Sequence, residues 1–168
     1  DEIVSIQTVW PASYQEAQQA ISAGQYAAAI DRLAQALKDE TRPWAKRAIR
    51  AESIRVLAAL DQWESAVDQF VLLAQEDPQT QYFYLCPIKW LGNVSISADR
   101  AKALMTSRDP VQQLVGASWS VPGRDQAEGI KVLESLTADL DSRVQKLATT
   151  QLWRVRSMNL SSINDRQV

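Results

Sequence analysis

The chain has 168 residues, with 18 Lys and Arg against 20 Asp and Glu for a net charge of −2. It holds no histidine and a single cysteine, Cys86, but six tryptophans. Histidine-based triads and imidazole metal ligands are thereby excluded, as are intrachain disulfides and Cys-rich metal sites.

Near-neutral charge argues against a dedicated nucleic-acid binder, which is usually strongly basic. Apolar residues make up 46% and charged residues 23%, an ordinary globular balance. The longest apolar runs, such as residues 56–60 and 70–74, have five members. A bilayer span takes about 20, so no membrane insertion is expected. One domain is the expectation at this length.

The β-branched run from Ile3 to Val9 reads as a strand. In a helical chain it has nothing to pair with, so residues 1–10 read as an extended segment closing an upstream domain. Ser13 and Glu16 fit a capping box, followed by Tyr14, Ala17, Ala20 and Ile21 on one face. After Gly24 a second helix carries Tyr26, Ala29, Ile30, Leu33, Ala36 and Leu37. Pro43 suits the first turn of a third helix, reaching about Leu60. Asp61 then reads as the N-cap of a helix with Trp63, Ala66, Val67, Phe70, Leu73 and Ala74 inward, ended by Asp77-Pro78.

Repetition is the most informative feature of this half. Gly24 to Asp61, Tyr26 to Trp63, Ala29 to Ala66, Leu33 to Phe70 and Ala36 to Leu73 are each 37 residues apart. A helix pair that cannot bury its apolar face alone, and so stacks on its neighbour, leaves this signature.

Pro87 and Gly92 should leave the aromatic stretch 79–93 irregular. Ser97 reads as the N-cap of a helix with Ala101, Leu104 and Met105. Asp109-Pro110 opens another, with Val111, Leu114, Val115 and Trp119 inward. A helix over about 124–137 presents Ala127, Ile130, Leu133 and Leu136. Asp141-Ser142 opens the last one, with Val144, Leu147, Ala148, Leu152 and Val155. Val111 to Val144 and Leu114 to Leu147 are both 33 apart. The polar residues 159–168 carry no stripe and read as a frayed tail.

The first half resembles a tetratricopeptide repeat array in its glycine, aromatic, alanine, bulky apolar and alanine order: Gly24, Tyr26, Ala29, Leu33, Ala36. Asp61, Trp63, Ala66, Phe70 and Leu73 repeat it, with Pro78 at the closing position. The second half resembles HEAT-type repeats through Asp109-Pro110-Val111 and Asp141-Ser142-Arg143-Val144. Both resemblances imply an all-α, right-handed α-α superhelix (solenoid) of about nine helices over residues 11–158. They imply contact with other proteins, and no chemistry.

Candidate chemistry is sparse. The five glycines are isolated, so no phosphate-cradling loop is formed. Cys86, before Pro87 in an apolar stretch, reads as a buried inert thiol. Glu16, Asp61, Glu64, Asp99, Asp109, Asp125 and Asp141 lie at helix starts, where capping and the helix dipole account for them. No catalytic residue, cofactor or metal is expected.

Candidate docking residues fall in two places. The basic set Arg42, Lys46, Arg47, Arg50 and Arg55 could receive an anionic partner, or could pair locally with Glu40 and Glu52. In clamp-type tetratricopeptide domains, Lys, Asn and Arg on the first helices grip a chaperone's terminal carboxylate. That frame places Tyr14, Gln18, Ala51 and Arg55 on a concave face here, and only Arg55 is cationic. The second place is Tyr82 to Trp90. Tyr82, Phe83 and Tyr84 are consecutive and cannot share a helix face, so at least one points away from the local core. Tyr82, Tyr84 and Trp90 are therefore partner-binding candidates. The expected function is a non-catalytic interaction or scaffold module that holds another protein or another domain of its own chain. The alternative is an accessory helical region positioning an upstream domain. No nucleic acid, membrane insertion or small-molecule substrate is expected.

Overall fold

Helix starts and stops follow the residues that set them. The computed structural model describes residues 9–88 and 96–164, with side chains described as far as Ser157. The elements are α1 (Ala12–Ser22), α2 (Tyr26–Asp39), α3 (Pro43–Ala59), α4 (Trp63–Glu76), a 3-10 turn (Phe83–Leu85), α5 (Ala98–Met105), α6 (Pro110–Ser120), α7 (Gln126–Leu136) and α8 (Ser142–Asn164). The protein is all-helical, with no strand among the described residues. Residues 3–8 of the expected strand lie outside them, and Val9 is irregular and exposed. The chain's contacts fall into two compact units, Asp1–Leu73 and Ala74–Val168.

In the first unit, α1 packs on α2 and α2 on α3. Gly24 and Asp61 are the two positive-φ residues among those described, at 72° and 56°. Both sit in the same kind of turn, one after α1 and one after α3. The Gly24 amide donates to Ile21 O and the Gln25 amide to Ala20 O; the Asp61 amide donates to Ala58 O and the Gln62 amide to Leu57 O. These are the two bonds of a Schellman turn, and every atom of the second set lies 37 residues beyond the first. Asp61 is thus the left-handed residue that ends α3, where the sequence suggests the N-cap of α4. Its carboxylate accepts a bond from the Trp63 indole at 3.3 Å.

The matched positions inside the helices are buried alike. Ala29, Leu33 and Ala36 are 0% exposed, as are Ala66, Phe70 and Leu73. Full burial of a Leu or Phe contributes about 1.5–3 kcal/mol, so these residues fix the hairpin. Tyr26 and Trp63, at the mouth of each turn, are only partly covered. The capping box expected at Ser13 does not form. α1 starts at Ala12 behind Pro11, and the Ser13 hydroxyl donates to Asp39 Oδ2 at 3.0 Å. A tie between α1 and the end of α2 replaces the local cap.

In the second unit α5 packs on α6, α6 on α7 and α7 on α8, and α6 also meets α8. Ser97, Asp109 and Asp141 cap as the sequence suggests: Ser97 Oγ accepts from the Arg100 amide, and Asp109 and Asp141 accept from Val111 and Arg143. The Asp109 and Asp141 caps repeat at 32 residues rather than 33. Burial does not follow the 33-residue register either, since Leu114 is fully buried and Leu147 half-buried. The difference lies in position. Residues 114–120 of α6 are buried without a break, whereas α8 buries one face.

Small residues let α6 be surrounded. A Cβ on Gly116 would stand 2.5 Å from Ala101 O and Met105 N, so the α5 backbone lies directly against it. A Cβ on α7's Gly129 would meet Ala117 O at 3.0 Å. Gly129, Leu133 and Leu136 form the buried edge of α7, and Ala127, expected inward, is exposed. α8 continues to Asn164, beyond the end of the apolar stripe.

The stabilities of four variants check this account. Gly24→Ala should cost about 1 kcal/mol in urea unfolding, through backbone strain alone because nothing lies within 4 Å of the new Cβ. Asp61→Gly should raise stability by a few tenths to about 1 kcal/mol. In the second unit, Gly116→Ala should cost about 2–3 kcal/mol or more, because its clash is with backbone. Gly123→Ala, with only Ser120 O at 3.4 Å, should stay within about 0.5 kcal/mol of the parent.

Candidate functional site

The sequence candidates on the first unit are largely engaged in structure. Tyr14 is half-buried against Trp10, with ring centroids 4.4 Å apart, and Trp10 meets Trp44 edge-on at 5.5 Å. Gln18 is half-buried on α1. Ala51 is 1% exposed and cannot belong to a presented face, which corrects the expectation for it. The α3 turn that carries it points Ala51, Ser53 and Ile54 inward together. Arg55 is exposed but bound to Glu52 at 2.6 Å, and Arg50 donates to Gln69 Oε1 at 2.9 Å. Lys46 is half-buried and makes no ion pair among the described residues.

Arg42 is the most committed of the basic set. Its guanidinium spans both Glu40 oxygens, at 2.9 and 2.6 Å, and reaches Val9 O at 2.8 Å. It also lies 5.1 Å from the Trp44 ring centroid and 6.0 Å from that of Trp10. The Thr41 and Arg42 amides both donate to Glu40 Oε1 at 2.9 Å. The bonds from the Arg42 side chain, then those from the backbone, pull the Glu40 carboxyl down from 4.5 to about 2, against the opposing effect of its burial. This clasp ties the chain before α1 to the α2–α3 turn.

A second clasp of the same chemistry builds a groove in the second unit. Arg143 spans Asp141 at 3.0 and 2.6 Å while its own amide donates to Asp141 Oδ1 at 2.9 Å. The side-chain bonds from Arg143 hold the Asp141 carboxyl below its ordinary range. The same guanidinium donates to Pro78 O and to Thr80 O, and lies 4.3 Å from the centroid of Phe83. Further along, the Trp119 indole donates to Pro87 O at 2.6 Å. Both ends of the stretch from Pro78 to Pro87 are therefore anchored by side chains reaching its carbonyls.

Between this stretch and the start of α8 lies a groove of about 500 Å³, within the range of ligand-sized cavities. Phe83, Cys86, Ile88 and Leu147 supply its apolar surface, and Arg143 and Lys146 its charge. Tyr84 stands on it, 66% exposed, while Phe83 is 6% exposed. The consecutive aromatics thus part as the sequence requires. Tyr82 is half-buried and is not part of the groove wall; Trp90 lies outside the described residues. Cys86 is buried, and burial pushes its thiol far up, so it stays protonated and unreactive. Arg143 and Lys146 were not among the sequence candidates. The available signal was the acid-x-Arg spacing of Asp141 and Arg143, which matches that of Glu40 and Arg42.

Among the described residues no group of His, Cys, Asp and Glu could hold a metal ion, and no helix is long and apolar enough to cross a membrane. The fold and groove define a class, an all-helical protein whose helices pack in sequence within each unit, with a cation-edged groove in the second. Compared with protein families, curated proteins and solved structures, the chain matches none.

The first clasp gives a pH prediction. Glu40 titrates lower in the folded than in the unfolded chain, so its contribution is complete above about pH 4.5 and fades as pH falls toward 2. The difference in urea midpoint between the parent and Glu40→Gln should therefore be constant above about pH 5.5 and shrink steadily below about pH 4.5. A difference that holds unchanged at pH 2.5 would contradict the assignment.

Proposed function

We propose that the chain is a non-catalytic helical-repeat module, of tetratricopeptide-like and HEAT-like hairpins, that binds another protein or another domain of its own chain. The observation that carries this reading is the groove beside Tyr84. An exposed aromatic stands on a segment whose carbonyls are held at Pro78, Thr80 and Pro87, so the surface exists before a partner arrives. A preformed aromatic surface keeps the ordering cost of binding small. Aromatic residues in such settings also carry a disproportionate share of binding energy.

The reading is tested with a photoreactive phenylalanine analogue at position 84, compared with the same group at the exposed Lys38 on α2. In extract of the source cells, position 84 should give a discrete protein adduct that position 38 does not. Equal, diffuse labelling from both positions would remove the basis for the proposal.

A further inference from the structure

The groove's walls are unequally charged. Its lining holds two cations, Arg143 and Lys146, and no carboxylate. The neighbouring cleft shares both cations and adds Thr137, Ser142, Gln145, Thr149 and Thr150, again with no carboxylate. Arg143 is balanced by Asp141, so the charge this lining offers a partner is that of Lys146, which favours an anionic group beside it.

The two cations are not equivalent. Arg143 is bound to Asp141, its fork is spent on backbone carbonyls, and Asp77 acts on it as well. Lys146 is exposed and makes no ion pair among the described residues. It lies in the second turn of a 23-residue helix, near the positive end of the helix dipole. The hydroxyls around it already donate to carbonyls: Thr149 to Gln145 O, Thr150 to Lys146 O and Thr137 to Glu134 O. Of the donors left for an incoming anion, which include the Ser142 hydroxyl, Lys146 is the charged one.

We propose that this groove docks an extended acidic segment of a partner protein, with an apolar side chain set among Phe83, Cys86, Ile88 and Leu147 and a neighbouring Asp or Glu at Lys146. The exposed amides of Gln79 and Gln81 on the rim each supply a donor and an acceptor, the complement a peptide bond needs. Tyr84 then covers the bound apolar side chain from the open side. The inference rests on the binding-module reading and narrows it to one site and one chemistry.

The test is an array of capped hexapeptides in which Leu, Ile, Phe or Tyr stands beside two Asp, two Asn or two Lys, probed with the whole chain. The acidic set should be retained about tenfold or more above the lysine set, with the asparagine set between, and the preference should weaken as salt rises. Lys146→Glu should abolish or reverse the order, and Tyr84→Ala should lower retention of every apolar-acidic peptide. Lys131→Glu, on the exposed side of α7, should change neither. Equal retention of acidic and lysine peptides, no retention of any set, or an order untouched by Lys146→Glu would overturn the inference. A discrete adduct from position 84 alongside any of those results would leave the module reading standing and remove only the acidic segment. Circular dichroism of each variant confirms that a lost signal is not lost folding.

Discussion

A guanidinium placed two residues after a carboxylate sets the irregular parts of both units. Glu40 with Arg42, and Asp141 with Arg143, use one geometry: the acid accepts the arginine's amide and its fork together. Each arginine then has donors to spare, and these reach carbonyls distant in sequence, at Val9 in one unit and at Pro78 and Thr80 in the other. Backbone outside helices carries polar groups that must find partners, and here the clasp supplies some of them. An aromatic ring beside each guanidinium, Trp44 or Phe83, completes the arrangement. Without Arg143 the stretch from Pro78 to Thr80 would lose its anchor, and the groove its wall.

The helices themselves rest on a different constraint, the reversal of direction between partners. At Gly24 and Asp61 the same two backbone bonds close the same turn, one with the residue that tolerates positive φ freely and one with a residue that tolerates it less well. Three buried positions per helix then fall in register, which is why the 37-residue spacing was legible from residue types alone. Burial and turn geometry both act on local sequence, so a local pattern reveals them.

What the sequence hid has a common cause: it depends on residues far apart. Ser13 looked like a cap because Glu16 follows at the right distance, but Asp39, far along the chain, takes its hydroxyl. Gly116 looked like an isolated glycine, and only the approach of the Ala101–Met105 backbone gives it a role. Ala51 looked available because a family frame placed it so, and the turn of α3 buries it. The parting of Phe83 and Tyr84 was legible, because it follows from consecutive positions. The contribution of Arg143 and Lys146 to the same groove was not, because it arises from the start of a helix more than fifty residues away in the sequence.

The clasps also bear on which charges remain outside internal ties. Arginine has a planar fork that fits carboxylates and carbonyls at several points at once, and it is weakly hydrated enough to be held against aromatic rings. Arg42 and Arg143 use those properties internally, and Arg50 and Arg55 are likewise engaged by Gln69 and Glu52. Lysine offers a compact, strongly hydrated charge on a flexible stem, poorly suited to such multipoint ties. Lys46 and Lys146 accordingly keep their charge outside the ion pairs of the described residues. Lys146 adjoins the apolar groove, so under the proposed docking it is where a surface charge and a buried side chain are read together. Charge alone at a surface contributes little in physiological salt, so the proposed docking depends on the groove as much as on Lys146.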